Sequence, residues 1–193
     1  MQLCAITDRK RINEPLLNMV EGWSNGGVQF IQLREKDLDA AALQSLAREV
    51  TKKIDRRRSR LLLNTPAPEW AVLARTAGAD GVHLAGPPQP GAVATVRQSF
   101  PGAIISLPCH SLDDIAMAVS QRVDLILFSP VFEKSSHSTQ GLEGLRHACA
   151  AAQGIPVFAL GGVTAANAAE CVAAGATGIA AIRLFEGDDW RRL

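Results

Sequence analysis

"AGADGVHLAG", residues 77–86, sets a small-residue turn directly against a short apolar run. "AGATGIAAIR", residues 174–183, repeats the arrangement far downstream, and "NGGVQFIQLR", residues 25–34, is a looser copy. A glycine ahead of an apolar run lets the chain leave a helix through a left-handed residue and turn back into a sheet. Working outward from these stretches, apolar runs alternate with segments of helical periodicity at intervals of roughly 25 residues. The strands expected are Leu3–Thr7, Val28–Arg34, Arg60–Asn64, Gly81–Ala85, Ile104–Pro108, Leu125–Pro130, Pro156–Gly161 and Gly178–Arg183. Helices are expected near 14–25, 39–56, 68–77, 91–99, 111–122, 141–152 and 164–174, with only a stub at 188–192. Strand-helix alternation predicts a parallel sheet, and eight such units predict a (β/α)8 TIM barrel spanning residues 1–193 as a single domain. At this length the barrel is compact, its last helix short or missing. The competing open, doubly wound sheet usually has fewer strands and a glycine-rich nucleotide turn after the first. Here the first strand ends in Thr7-Asp8-Arg9-Lys10.

Composition narrows the partners. Twenty basic side chains against 19 acidic ones leave no electrostatic footprint for nucleic acid, and 5% aromatics leave little for base stacking. No apolar run approaches the length that spans a bilayer, and Met1-Gln2-Leu3-Cys4 has no charged segment leading into one. A cytoplasmic protein without membrane or nucleic-acid partners is expected. The four cysteines, at 4, 109, 149 and 171, are scattered and are expected to be reduced. A truncated last helix would expose apolar barrel surface, and a homo-oligomer is one way to cover it.

In a barrel of this kind, chemistry belongs to the C-terminal ends of strands and the loops that follow. The densest basic run, Arg56-Arg57-Arg58-Ser59-Arg60, precedes a strand and therefore belongs on the opposite, solvated face. Gln32-Leu33-Arg34-Glu35-Lys36 lies at the top of strand two. There Arg34 offers a planar fork for phosphate oxygens and Lys36 a point charge, unless both are spent on Glu35 and Asp37 in a surface ion cluster. Asn64 ends strand three. His83 lies within strand four, where it is either a site residue or an interior histidine satisfied by hydrogen bonds. Gly161-Gly162 precedes a helix after strand seven, a place where bare amides bind phosphate, and Arg183 could add countercharge or lie exposed. His110 stands where strand five meets a helix start, either as a proton carrier or as a neighbour of the cap. Lys134 and His137 belong to a polar loop that could cover the site or simply be solvated.

The ordered set Gln32-Leu33-Arg34-Glu35-Lys36, Asn64, Ala79-Asp80-Gly81-Val82-His83-Leu84, Ser129-Pro130-Val131-Phe132 and Ala159-Leu160-Gly161-Gly162-Val163 resembles the thiamine phosphate synthase/TenI superfamily along nearly the whole chain. The resemblance implies a (β/α)8 barrel that binds a small phosphorylated thiazole. Its synthase branch joins a pyrimidinylmethyl pyrophosphate to a thiazole phosphate with Mg2+, held by aspartates whose positions here carry Thr65 and Pro88. The pyrophosphate loop also departs, reading Ser129 to His137 with Lys134 and His137 as partial substitutes, and Pro108 replaces a serine. The TenI branch is closer at Cys109-His110-Ser111-Leu112-Asp113-Asp114 and Gly141-Leu142-Glu143-Gly144. Members of that branch are thiazole tautomerases, which move a proton without metal, and His110 sits at the position of their catalytic histidine.

The leading expectation is therefore a tautomerase with His110 as the catalytic residue. Gln32, Arg34, Lys36, Asn64, His83, Lys134, His137, Gly161, Gly162 and Arg183 would bind the substrate and its phosphate, with no cofactor. The alternatives are a divergent synthase, which would bring Mg2+ back, and a non-catalytic thiazole or thiamine phosphate-binding regulatory barrel.

Overall fold

The computed structural model describes residues 1–12, 14–132 and 139–193. Eight parallel strands close into one barrel in chain order: β1 (Gln2–Ile6), β2 (Phe30–Leu33), β3 (Arg60–Thr65), β4 (Gly81–Leu84), β5 (Ile104–Cys109), β6 (Leu125–Phe128), β7 (Val157–Leu160) and β8 (Gly178–Ala181). Between them run α1 (Leu16–Asn25), α2 (Ala40–Lys53), α3 (Ala71–Thr76), α4 (Ala92–Ser99), α5 (Leu112–Ser120), α6 (Gly141–Ala151) and α7 (Ala168–Ala173). The predicted fold is the observed one. Gly78 and Gly175, from the two matching stretches, have φ of +80° and +105°, the left-handed turn that their sequence implied.

Alternation along the strands divides the core in two. Cys4, Ile6, Leu62, Leu125, Leu127, Phe158 and Ala180 fill the barrel interior, with Phe30 edge-on to Phe158 at a ring separation of 5.7 Å. The residues between them pack outward against the helices. At the N-terminal face, Asp80 accepts from the amide of Leu61 at 2.8 Å, and Asp124 does the same for Ile105. The basic run is pinned on this face, Arg56 to Asp80 at 2.7 Å and Arg57 and Arg58 to Asp55, as its place before a strand implied.

Several boundaries differ from those expected. β8 stops at Ala181, because Ile182 turns into a 3-10 segment, Arg183–Phe185. The expected helix over 68–77 is a 3-10 turn, Pro68–Trp70, followed by α3. In place of a last helix, a third 3-10 turn, Asp189–Arg192, buries Trp190 against Phe185, which in turn meets Trp23 of α1 edge-on. The apolar surface expected to need a partner is thus covered at this point by the chain's own aromatic rings. No helix among the described residues is long and apolar enough to cross a membrane.

Candidate active site

The C-terminal end of the barrel carries a polar wall and an apolar one. Register aligns Asn64 of β3 with His83 of β4, and His83 with Ser106 of β5. Gln32, on the inward alternation of β2, donates from Nε2 to Asn64 Oδ1 at 3.0 Å. Its own Oε1 is buried without a partner among the described residues, so it is free to receive a donor from a ligand. Opposite, Leu127, Leu160 and Ile182 from β6, β7 and the end of β8 present hydrocarbon.

His83 is buried and its Nδ1 lies 2.9 Å from Ser106 Oγ. Burial, and secondarily the nearby Arg34 guanidinium, push its pKa down to about 3. It is therefore a neutral imidazole that can donate or accept a hydrogen bond but does not supply positive charge. That also places Arg34 within electrostatic reach of the mouth, in agreement with the inward alternation Phe30, Gln32, Arg34.

The ion cluster imagined within strand two's own motif does not form. Glu35 is buried and accepts from Thr7 Oγ1 at 2.6 Å, from the amide of Arg9 at 3.1 Å and from the Arg9 guanidinium at 3.1 Å. Asp37 takes the same guanidinium on both oxygens, at 2.6 and 2.8 Å, and Lys10 at 3.2 Å. The Asp37 carboxyl is held well below the usual range by the Arg9 hydrogen bond first and Lys10 second. Glu35 and Asp37 are thus both taken by cations that follow β1, while Asp39 caps α2 through the Ala42 amide. Arg34 and Lys36 make no ion pair among the described residues and remain available to an anion.

His110 follows β5 directly and continues the inward alternation of Ile104, Ser106 and Pro108. It does not cap α5. Ser111 does that, its hydroxyl accepting from the Asp114 amide at 3.1 Å, while Asp114 reaches back to the His110 amide at 2.8 Å. The His110 ring reaches across to β6, where Nδ1 lies 2.7 Å from the carbonyl oxygen of Ser129. A carbonyl only accepts, so Nδ1 carries the proton and Nε2 of the neutral ring carries the lone pair. Nε2 has no partner among the described residues. Gln140 completes the bracket by donating to the His110 carbonyl at 2.8 Å.

Two expectations change at strands seven and eight. Gly161 and Gly162 do not sit at a helix start, because α7 begins only at Ala168 after a turn in which Asn167 caps Thr164 and Gly162. α7 is also too short to act as a dipole at the mouth. The glycines are required by contact: a Cβ on Gly161 would lie 2.8 Å from Pro130 Cα, and one on Gly162 2.8 Å from Phe132 Cβ, both at positive φ. The amides of Gly161, Gly162 and Val163 have no acceptor among the described residues. Arg183 opens the 3-10 segment, exposed and off the inward alternation. Lys134 and His137 lie outside the described residues.

Mg2+ of the synthase branch would need carboxylates here, and the donor set does not fit it. Thr65 is buried on the outward alternation with its hydroxyl unpartnered, and Pro88 has no side-chain donor. No cluster of three His, Cys, Asp or Glu side chains able to hold a metal occurs among the described residues. Instead, a cavity of about 330 Å3 lies beside the mouth, floored by Leu84 and Leu107 and lined by Pro66, Pro68, Pro87 and Pro90.

Thr7, Arg9, Ser129 and Gln140 were not expected as site residues, although the first three stand in stretches quoted above. Thr7 was within reach, since the rule that strand ends carry function applies to β1 as it does to β2.

These features define a (β/α)8 barrel whose rim offers cations, free amides and an oriented imidazole to a small anionic substrate. The chain belongs to the family described as thiamine monophosphate synthase, which matches residues 3–185. It is 42% identical to a Geobacter sulfurreducens protein named "Putative thiamine-phosphate synthase" over 96% of this chain and 87% of that one. It is 38% identical to "Putative thiamine-phosphate synthase 2" of Aquifex aeolicus, covering 95% and 97%. Among solved structures, thiamine phosphate pyrophosphorylase from Pyrococcus furiosus superposes with a TM-score of 0.83 at 27% identity, covering 99% of this chain and 90% of that one.

Proposed function

We propose that this chain is a thiamine-biosynthetic isomerase that aromatises a carboxythiazole phosphate by proton transfer through His110. The observation that carries this reading is the His110 ring, held at Nδ1 by the Ser129 carbonyl with Nε2 unpartnered among the described residues. In that tautomer Nε2 takes a proton from a ring carbon of the non-aromatic substrate. The electron pair moves into the ring and the proton returns at the exocyclic carbon, so atoms and charge balance and no oxidant enters. Arg34, Lys36 and the free amides of Gly161, Gly162 and Val163 would hold phosphate and carboxylate, and Gln32 and Asn64 the polar edge of the ring. An imidazole suits the step because its ordinary pKa lies near the working pH.

A second reading, the transferase joining a pyrimidine pyrophosphate to a thiazole phosphate, is favoured by the names of the relatives and of the Pyrococcus structure. Thr65 and Pro88 weigh against it. One experiment separates the two. Purified protein is given the non-aromatic carboxythiazole phosphate, with aromatisation followed by ultraviolet absorbance, and separately both transferase substrates with Mg2+. Aromatisation that is lost in His110→Ala supports the isomerase. Mg2+-dependent thiamine phosphate without aromatisation replaces it with the transferase, and ligand binding with neither activity makes the barrel a binding protein.

A further inference from the structure

We infer that Thr7 is the positioning residue of the anion site on strand two, acting through one hydroxyl that bridges Arg34 and Glu35. This deepens the proposed function, because it rests on Arg34 holding the substrate's phosphate or carboxylate. The backbone ladder between β1 and β2 makes its last ordinary rung where the Thr7 amide donates to the Gln32 carbonyl at 3.0 Å. Beyond that point no backbone acceptor meets the Arg34 amide among the described residues. The Thr7 side chain takes over: Oγ1 accepts from the Arg34 amide at 2.9 Å and donates to Glu35 Oε1 at 2.6 Å. The hydroxyl adds a rung to the sheet and fixes the backbone from which the Arg34 side chain departs.

The bridging hydroxyl is buried, while the Arg34 amide that it serves is half-buried. Thr7 is 1% exposed and Glu35 6%, so water does not replace the bond between them if the hydroxyl is removed. Glu35 is in turn anchored to the amide and guanidinium of Arg9, and Arg9 to Asp37. Thr7 therefore couples the Arg34 backbone to the web that removes Glu35 and Asp37 from competition for Arg34 and Lys36. A valine at position 7 has nearly the same shape but leaves the Arg34 amide without its acceptor and Glu35 Oε1 with only the longer contact to the Arg9 amide at 3.3 Å. The Arg34 guanidinium, on the same residue as the freed amide, makes no ion pair among the described residues. The substitution thus both loosens that side chain and offers it an internal anion.

The test compares Thr7→Val, Thr7→Ser and Arg34→Ala, each confirmed as folded by its thermal midpoint, using inorganic phosphate as the probe in calorimetric titration. Thr7→Val is expected to weaken phosphate binding roughly tenfold, while Thr7→Ser recovers most of the loss. On the carboxythiazole phosphate, Thr7→Val should raise KM by a similar factor with a much smaller change in kcat. A purely structural threonine would lower the thermal midpoint without moving phosphate affinity, and that result overturns the inference. If Arg34→Ala binds phosphate as the unaltered protein does, the anion role of Arg34 itself falls and the inference with it. If Arg34→Ala loses binding while Thr7→Val keeps it, only the inference falls. Should Thr7→Val not fold, Glu35→Asp, which keeps the charge but withdraws the acceptor from Thr7, carries the same expectation and the same overturning result.

Discussion

Two stations on the barrel rim hold their working side chains in opposite ways. At strand two, Arg34 and Lys36 stand beside a web of full charges, Glu35 and Asp37 against Arg9 and Lys10, tied to the sheet by Thr7. At strands five and six, His110 is bracketed mostly by neutral groups: the Ser129 carbonyl on its ring and the Gln140 amide on its own carbonyl, with only Asp114 contributing charge, to the backbone. The contrast is what the proposed function would require at each place. A cationic station must keep its arginine free of internal acids, and stronger pairs nearby achieve that. A proton carrier needs its ring oriented without a charge that would fix its protonation state, and a carbonyl does that. The first station should respond to changes in charge and the second to changes in shape.

The sharpest way to break the second station is His110→Asn. Its side-chain amide can still donate to the Ser129 carbonyl, so the bracket survives while the base is lost. Aromatisation should fall at least about a hundredfold, with phosphate affinity and thermal midpoint little changed. Retained turnover in this variant would remove His110 from the chemistry.

The glycines of strand seven reach the same station from behind. Alanine at Gly161 must adopt a φ of +95° and meets the backbone of Pro130, next to the carbonyl that orients His110. The left-handed conformation and the close contact together should cost roughly 3 kcal/mol in denaturant unfolding, with turnover reduced as well. A variant equally stable but slow would place the effect on the His110 bracket alone.

How much of this was legible in the residues differs between the two stations. The barrel was, because eight apolar runs behind small-residue turns leave few alternatives, and the Arg56–Arg60 run fell on the face its position implied. Strand alternation anticipated that Gln32 and Arg34 share one side, whereas for His83 it left open the interior, hydrogen-bonded histidine that the Ser106 contact describes. The Arg9 to Glu35 and Asp37 pairs were not, because they join residues 26 to 28 positions apart and depend on how two loops fold over one rim. The helix expected right after Gly162 failed for a related reason: Asn167 supplies a local turn that delays α7 to Ala168. Ser129 stood in a recognised motif, but its contact with His110 runs mainly through its carbonyl at 2.7 Å, a group every residue has, with its hydroxyl at 3.3 Å, so the sequence did not assign it that role.

Beneath Arg34, His83 offers a test in pH. Its folded pKa of about 3 lies below the ordinary value near 6.5, so the unfolded chain binds the proton first. Its contribution to stability is complete above pH 6.5 and is lost as pH falls from there toward 3. Between pH 6 and 4.5 this one group should remove about 2 kcal/mol, and His83→Asn, which keeps a donor toward Ser106, should show a correspondingly flatter acid limb. Equal slopes in the two proteins would mean that the imidazole is protonated in the fold.

The smallest effect should come from Asp37→Asn. Exposed pairs are screened and contribute little, so the denaturation midpoint should scarcely move. The substitution nevertheless releases Lys10 and one arm of Arg9, adding positive charge beside Arg34 and Lys36 without touching either. Phosphate should then bind somewhat more tightly at low ionic strength, and the gain should vanish at high salt, whereas the His110 station should be indifferent to both changes. A salt-dependent gain at strand two with unchanged kcat would separate the ionic station from the neutral one. Weaker phosphate binding in this variant would instead mean that Asp37 orders loop two more than it competes for cations, and that the two stations are built alike.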